Sequence, residues 1–421
     1  MPCDLDEDGD GFPSEECGGP DCDDGDPTIH PGAPLPEWEK EFVDHGSNSL
    51  SSNAALALAI DDEGVAHLRY NHEAHGVGDE SRYASNLTGV WQNSPVERTL
   101  GHTRVSELAV DPEGTVHLAY LFHVDGEGYS VRYGRYDGVE WITMIVYATI
   151  GSFDDSVGIA LDLDGAVHIG YAVFESVLEG GEWHDGEEIG HATNAGGEWT
   201  VERVQPMGGG PFAVSIAVDA DGTVRIPYVG GANGRARLPP YALRQASRSD
   251  DAFWLDDLVT DTIDEGRDLD AWGGDCCTDM TIDPEGVAHL GSLGGRLGYS
   301  TDRGGAWRSE PATDLEGQDF RNNSLAVAPD GTVHMSYVGT GLRPGENLAH
   351  REVGHVWGRM GAWEQETLDG WYAGGADSEI AVDVDGGVHI AYIDGDLRVI
   401  YAHRPVDPEG VDRDCSDEDL E

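Results

Sequence analysis

Residues 107–120 read Glu-Leu-Ala-Val-Asp-Pro-Glu-Gly-Thr-Val-His-Leu-Ala-Tyr, and this stretch decides the fold. An apolar segment leads into an Asp-x-x-Gly turn, and a second apolar segment then carries His117 and ends at Tyr120. Two short strands joined by a tight turn are what this pattern predicts. It recurs at intervals of 45 to 64 residues, in 61–70, 111–120, 162–171, 219–228, 283–292, 328–337 and 383–392. Seven such copies indicate a repeat architecture.

Each repeat has room for four short strands. The third often holds a tyrosine and the fourth begins at a tryptophan, as at Tyr83, Tyr133, Tyr299 and Tyr401, and at Trp91, Trp141, Trp199, Trp254, Trp307 and Trp363. Seven such units predict an all-β fold, a seven-bladed β-propeller of four-stranded blades over residues 37–403. A β-helix or tandem sandwiches fit the period less well.

The seventh repeat lacks a tryptophan strand, because the acidic C-terminal segment follows soon after Tyr401. Residues 37–43, around Trp38, precede the first repeat and have the form of a fourth strand. We therefore expect the N-terminal strand to complete the last blade, which removes exposed sheet edges.

Two acidic segments, residues 1–36 and 404–421, flank the repeats and differ from them in composition. Calcium prefers six to eight oxygen ligands, which alternating aspartates on a tight loop provide. Two ligand registers compete: Asp4, Asp6 and Asp8 with Gly9 and Glu15, or the preferred Asp6, Asp8 and Asp10 with Gly11 and the Phe12 carbonyl. A second acidic group follows at Asp21, Asp23, Asp24 and Asp26. These residues predict structural calcium.

Both segments resemble a metal-binding motif of secreted bacterial proteins of the MopE type. Residues 6–12 read Asp-Glu-Asp-Gly-Asp-Gly-Phe, and residues 21–33 read Asp-Cys-Asp-Asp-Gly-Asp-Pro-Thr-Ile-His-Pro-Gly-Ala. The family's next segment, Gly-Val-Asp-Asn-Asp-Cys-Asp-Gly, is missing there but is similar to residues 410–416, which depart from it at Arg413 and Ser416. The resemblance implies that Asp412 and Asp414 are further ligands. Closure of the ring would then join the two halves into one small acidic module.

The charge of the chain restricts its partners. The 421 residues include 81 acidic and 24 basic side chains, for a net charge of −57. Such a surface repels phosphates, which disfavours nucleic acid and anionic lipid as partners. The sequence has no apolar run long enough to span a membrane, and residues 1–30 have no signal-peptide pattern.

Six cysteines favour an oxidising compartment. We expect a secreted or cell-surface protein whose export signal has been removed. Our preferred disulfides are Cys17–Cys22, Cys3–Cys415 and the vicinal pair Cys276–Cys277, and other pairings stay open.

Most of the histidines recur with the repeat, at His67, His117, His168, His289, His334 and His389, with Arg225 in the fourth copy. Second strands lie away from the axis of a propeller, too far apart to share one ion. We therefore expect each of these histidines to bond a turn carboxylate or a backbone carbonyl between blades.

The other histidines gather in the loops around the first two blades, on the face where first strands begin and second strands end, here called the loop face. They are His45, His72, His75, His102 and His123. Imidazoles grouped in one sector can bind zinc or copper, or act as a base. Further ligand-binding candidates are Arg132 near these loops and Trp272 near Cys276 and Cys277.

Two stretches resemble carbohydrate-active propellers. Residues 300–307, Ser-Thr-Asp-Arg-Gly-Gly-Ala-Trp, match the Asp-box of sialidase-like propellers, which implies a folding turn with the tryptophan between sheets. Residues 62–75 and 82–85 resemble a repeat of propeller polysaccharide lyases, which implies His72, His75 or His123 as base or charge neutraliser and Tyr129 as acid. A sialidase would also need a three-arginine cluster. The Arg-Ile-Pro at 225–227 stands where other repeats carry the recurrent histidine.

The sequence favours a calcium-stabilised propeller that binds a glycan or an extracellular protein through its loop face. No nucleophile–base pair or phosphate loop stands out, which favours binding over catalysis. The alternatives are a carbohydrate-active enzyme of lyase or hydrolase type, and a surface protein that binds a transition metal.

Overall fold

The computed structural model describes residues 37–46, 56–74, 78–97, 102–124, 128–149, 152–179, 182–204, 209–231, 241–249, 253–260, 278–293, 296–313, 319–341, 350–371 and 377–405. Every regular element in these ranges is a β-strand. In this part of the chain there is no helix that could cross a lipid bilayer.

The strands pair into seven antiparallel sheets, here called blades 1 to 7 in chain order. Blade 1 contains β2 (Ala57–Ile60), β3 (Ala66–Ala74), β4 (Gly78–Ser85) and β5 (Gln92–Pro95). Blade 2 contains β6 (His102–Val110), β7 (Val116–Val124), β8 (Gly128–Tyr136) and β9 (Trp141–Thr149). Blade 3 contains β10 (Ser152–Leu161), β11 (Val167–Glu179), β12 (Glu182–Thr193) and β13 (Thr200–Val204).

Blade 4 contains β14 (Gly209–Phe212), β15 (Ala217–Val218), β16 (Val224–Gly231), β17 (Tyr241–Arg248) and β18 (Leu255–Thr260). Blade 5 contains β19 (Thr278–Ile282), β20 (Ala288–Leu293), β21 (Leu297–Thr301) and β22 (Arg308–Pro311). Blade 6 contains β23 (Asp319–Val327), β24 (Val333–Gly341), β25 (His350–Arg359) and β26 (Ala362–Trp371). Blade 7 contains β27 (Ser378–Val382), β28 (Val388–Ile393), β29 (Arg398–Arg404) and β1 (Glu39–His45).

The blades form a closed ring. The first strand of each blade contacts the first strand of the next, and β27 of blade 7 contacts β2 of blade 1. Buried apolar clusters lie between successive blades, including one between blades 7 and 1 that contains Val43, Leu58 and Tyr401. The predicted seven-bladed propeller is confirmed.

The N-terminal strand completes the last blade, as predicted. β1 pairs antiparallel with β29, and Glu39 is the register partner of His403. Just before β1, the Trp38 ring lies 4.3 Å from the Arg404 guanidinium carbon and donates from Nε1 to Glu366 at 3.1 Å. The two ends of the propeller therefore lie side by side.

Blade 4 keeps the predicted four strand positions, although its first strand is divided into β14 and β15. Between them Ala213 has a φ of 52°, a left-handed conformation that an extended strand cannot contain. Both pieces still pair with β16, so that the blade keeps its place in the ring.

The recurrent tryptophans fasten neighbouring blades together. In six of the seven blades the tryptophan packs on the third-strand aromatic residue of the blade before it, at ring-centroid distances of 5.0–5.5 Å, whereas Trp307 of blade 5 packs against an apolar cluster. The pairs are Trp91–Tyr401, Trp141–Tyr83, Trp199–Tyr133, Trp254–His191, Trp363–Tyr299 and Trp38–His355. Trp38 therefore occupies the same position in blade 7 that the other tryptophans occupy in theirs.

The recurrent histidine links the turn to the third strand within its own blade. In blade 2, Asp111 Oδ1 accepts from the Thr115 N–H at 2.7 Å, while Oδ2 lies 3.2 Å from His117 Nε2. His117 Nδ1 lies 2.8 Å from the Tyr133 hydroxyl. The predicted turn-carboxylate partner is confirmed in blades 1, 2, 3, 5 and 7, whereas in blade 6 Ala328 takes the place of the turn aspartate. The expected location between blades is wrong, because the turn and the third strand flank the second strand of the same blade.

Blades 3 and 6 replace the third-strand tyrosine with a second histidine. His168 Nδ1 lies 3.1 Å from His191 Nε2, and His191 Nδ1 lies 2.8 Å from Glu202. In blade 6 the corresponding residues are His334, His355 and Glu366. In blade 4 the histidine position holds Arg225, which donates to Asp219 and Asp302. The Arg-Ile-Pro arginine therefore belongs to the blade scaffold.

Candidate functional site

A polar group on the loop face joins blade 7 to blade 1. Asp44, on β1, accepts from the Tyr70 hydroxyl at 2.7 Å and from Arg82 Nη1 at 3.0 Å. Arg82 Nε also donates to Glu80 at 2.7 Å. Since Tyr70 lies on β3 and Arg82 on β4, three strands of two blades supply this group.

His45 and His72 adjoin this group, so that two of the predicted histidines are brought together. His72 Nδ1 lies 2.7 Å from the His45 carbonyl oxygen and 3.7 Å from Asp44 Oδ2. Burial raises the pKa of Asp44, but hydrogen bonds from Tyr70 and the His45 N–H, together with His72 and Arg82, lower it below its ordinary value overall. Burial and the Asp44 carboxylate raise the pKa of Tyr70 well above its ordinary value. The tyrosine is thus fixed as a hydrogen-bond donor at neutral pH.

Blade 2 repeats this arrangement against blade 1. The Tyr120 hydroxyl donates to Glu97 Oε2 at 2.8 Å, and Arg132 Nη1 pairs with Glu97 Oε1. The Arg132 guanidinium also lies 3.9 Å from the centre of the Phe122 ring. The predicted ligand-binding residue Arg132 therefore already has a carboxylate partner.

A third copy of this inter-blade contact occurs between blades 6 and 7. Tyr392 donates to Asp369 at 2.9 Å, and Lys40 Nζ lies 3.9 Å from the same carboxylate. In each copy a carboxylate on the outer strand of one blade, or just after that strand, accepts a hydrogen bond from the second-strand tyrosine of the next blade. Because the positive charges at these positions are balanced by carboxylates, they are poorly suited to neutralising a uronate.

His123 and Tyr129 form a stacked aromatic pair at the rim of blade 2. Their ring centroids lie 4.2 Å apart with an interplanar angle of 30°. Both side chains are half-buried, and they are register partners near the tips of β7 and β8. His102, on β6, is in turn the register partner of His123. Three predicted site residues therefore share one strand end.

Other predicted site residues lie outside the described ranges. They are His75, Trp272, the six cysteines, and the calcium candidates at the two termini. Within the described part of the chain, one group places three potential metal-ligating atoms within 4.8 Å of one another, and it consists of Asp383, His389 and His403. Zinc or copper at the loop histidines therefore stays a prediction.

Carboxylates also gather at the axis of the ring, a feature that the sequence reading missed. Glu107, Asp279 and Glu379 stand four residues before the turn, in the first strands of blades 2, 5 and 7. Blades 2 and 5 are not neighbours, yet the charge of Asp279 acts on Glu107. Such residues can approach one another only at the centre of the propeller. The other blades carry Ala57, Gly158, Ser215 and Ser324 at this position.

The axial carboxylates have raised pKa values. Burial, followed by the charges of Asp279 and Asp377, raises the pKa of Glu107 well above its ordinary value. Burial and then Glu107, Asp377 and Asp279 do the same for Glu379. Ser324 donates to Asp279 at 3.1 Å and accepts from the Ile380 N–H at 3.3 Å, so that it connects blades 5 and 7. A repeat alignment could have found this position, because three blades carry a carboxylate there while the next residue is apolar in all seven.

No protein-family model matches the chain, and no curated protein matches it. Solved structures share its fold at low sequence identity. An ulvan lyase of polysaccharide lyase family PL25, bound to -[GlcA(1-4)Rha3S]-, has a TM-score of 0.52 and 13% identity, over 88% of this chain and 98% of that one. The NanB sialidase from Streptococcus pneumoniae has a TM-score of 0.48 and 10% identity, over 88% and 93%. The likeness to the ulvan lyase shows the propeller fold alone.

Proposed function

We propose that this protein is a secreted, calcium-stabilised propeller that binds a neutral glycan on the loop face of blades 7, 1 and 2. The observation that carries the proposal is the stacked His123–Tyr129 pair at the rim, close in the ring to the polar group around Asp44. Flat aromatic surfaces beside fixed polar groups are typical of small-ligand recognition. The net charge of −57 disfavours a polyanionic ligand.

The same residues argue against lyase chemistry. Such an enzyme needs positive charge to neutralise a uronate, whereas Arg82 and Arg132 are each paired with a carboxylate. Tyr70 and Tyr120 have raised pKa values and donate to acids, so that neither loses a proton readily. Binding is therefore the better-supported use of this face.

The two acidic terminal segments are the proposed calcium-binding part of the chain. The acidic segments at 1–36 and 404–421 supply the oxygen ligands that calcium prefers. The contact between Trp38 and Arg404 brings the ends of the propeller together, which supports one module built from both segments. The cysteines in those segments support an extracellular location.

A glycan array probed with the full chain tests the proposal. We expect binding to neutral oligosaccharides that weakens about two- to tenfold in Tyr129→Ala, because a lost aromatic contact costs roughly 0.5–1.5 kcal/mol. Phe253→Ala, at an aromatic residue that is 93% exposed on blade 4, is the matched control and should bind normally. Absence of any neutral-glycan binding would overturn the proposal. Release of an unsaturated product from uronate polysaccharides, abolished in His123→Ala, would favour the lyase alternative instead.

A further inference from the structure

Blade 7 has a histidine at a third-strand position where the other blades have none. Opposite the recurrent histidine or its arginine replacement, the third strands of blades 1 to 6 carry Ser85, Arg135, Thr193, Ser247, Thr301 and Trp357. In blade 7 the residue opposite His389 is His403. The two imidazoles stack with their centroids 4.5 Å apart. Asp383, from the turn, lies 2.9 Å from His389 Nε2.

We propose that Asp383, His389 and His403 form a zinc-binding site. One nitrogen or oxygen from each residue lies within 4.8 Å of the others. Tetrahedral zinc with bonds of about 2.0–2.1 Å holds its ligand atoms about 3.3 Å apart, so that a small rotation of the half-buried His403 ring completes the set. Two imidazoles and a carboxylate are ligands that zinc prefers.

The surroundings provide the support that a metal ligand needs. A histidine that binds a metal usually donates its other ring N–H to a fixed acceptor. His389 Nδ1 lies 2.6 Å from the Tyr401 hydroxyl oxygen, which can accept that bond when zinc occupies Nε2. The His389 proton then resides on Nδ1 instead of Nε2, with no net proton release.

A fourth ligand is available from the closing strand. Glu39, on β1, is the register partner of His403. Paired residues of antiparallel strands project on the same side of a sheet, so the exposed Glu39 side chain extends on the side that carries His403 and His389. Zinc at this place would join β1 to β29, which pairs with it, and to β28 beyond. The site lies at the turn end of the blade, on the face opposite the loop face.

Calorimetric titration of chelator-treated full-length protein with Zn²⁺ alone tests the proposal, in buffer with excess Ca²⁺ to occupy acidic segments. We expect one tight equivalent per chain and a rise in melting temperature, because zinc binds only the folded site. In His403→Ser, which installs the residue of blade 1, zinc should bind at least tenfold more weakly. In Arg135→His, which gives blade 2 the same three ligand types but has Ile142 where blade 7 has Glu39, a second and weaker equivalent should appear.

The matched control is His123→Ser, which removes a histidine from the loop face. It should keep the tight equivalent. Unchanged zinc binding in His403→Ser would overturn the proposal, as would loss of the tight equivalent in His123→Ser, which would place zinc on the loop face. No second equivalent in Arg135→His would show that the three ligand types in this geometry are insufficient, and would also count against it.

Discussion

In blades 1, 2, 3, 5 and 7 both ring nitrogens of the recurrent histidine have hydrogen-bond partners, which explains why so polar a residue is buried there. In blade 5, His289 is 2% exposed, with Asp283 at 3.1 Å from one nitrogen and the Tyr299 hydroxyl at 2.8 Å from the other. Burial lowers the pKa of His289, and the Asp283 carboxylate only partly offsets this. A neutral ring that donates to the acid and accepts from the hydroxyl satisfies all three groups.

At the axis, the carboxylates give the fold a pH dependence of known sign. Because the pKa of Glu107 is raised above 4.5 in the folded state, the folded chain binds this proton more tightly than the unfolded chain. Its contribution to stability is therefore present below pH 4.5 and is lost as the pH rises through the folded pKa. Glu107→Gln removes the charge and keeps the shape.

We predict that chelator-treated Glu107→Gln melts about 1–3 °C above the native protein at pH 8 and equally with it near pH 4. Thermal unfolding followed by circular dichroism at both pH values measures this. Glu113→Gln, at an exposed turn position of the same blade, should show no difference at either pH. A less stable Glu107→Gln at pH 8 would contradict the prediction.

Among the elements, the second and third strands show how a single glycine changes a blade. In blades 1, 2 and 4 the second-strand tyrosine faces an arginine and reaches a carboxylate. In blades 3 and 6 it faces Gly190 or Gly354 and its ring covers that glycine. A Cβ at Gly354 would come within 2.0 Å of the Tyr337 ring.

We predict that Gly354→Ala lowers the free energy of unfolding by about 1–3 kcal/mol, because Tyr337 is buried in the core between blades 5 and 6 and cannot move aside freely. Denaturant unfolding measures the change. Gly196→Ala is the control, since a Cβ there meets nothing within 4 Å. Equal stability of Gly354→Ala and the native chain would refute this account of the close approach.

The strand pattern and the closing strand could be predicted because each depends on local signals, namely an Asp-x-x-Gly turn, an apolar alternation and a tryptophan. The division of the first strand of blade 4 could not, because the left-handed Ala213 carries no sequence mark. The partners of Arg132 and Arg82 were also missed. Those carboxylates come from the preceding blade, and only the assembled ring brings them close.

For the whole molecule, closure rests on one short strand from the far end of the chain. β1 supplies Val43 to the cluster between blades 7 and 1, and Trp38 precedes it on the blade 6 side. Without these residues β29 would become an exposed edge, which favours association with other chains.

We predict that a chain lacking residues 1–46 loses at least about 2–4 kcal/mol of stability and associates, because it loses Trp38 and Val43. A chain lacking only residues 1–36 should stay monodisperse and unfold cooperatively. In zinc-free protein it should also lose any decrease in melting temperature that removal of calcium causes in the full chain, because the proposed calcium ligands of residues 1–36 are gone. Light scattering and thermal unfolding measure both. Association of the shorter deletion, or a monodisperse longer one, would contradict the prediction.

The pairing of β1 with β29 also determines how the protein responds to force. The start of β1 lies beside the end of β29, so that tension applied through the two termini acts at one end of this strand pair. The inter-strand hydrogen bonds run perpendicular to the strands. Tension at one end of the pair would therefore break them one after another, whereas a shear load would act on all of them at once. A propeller tethered at both termini would therefore yield first at its seam, while the other six blades remain intact.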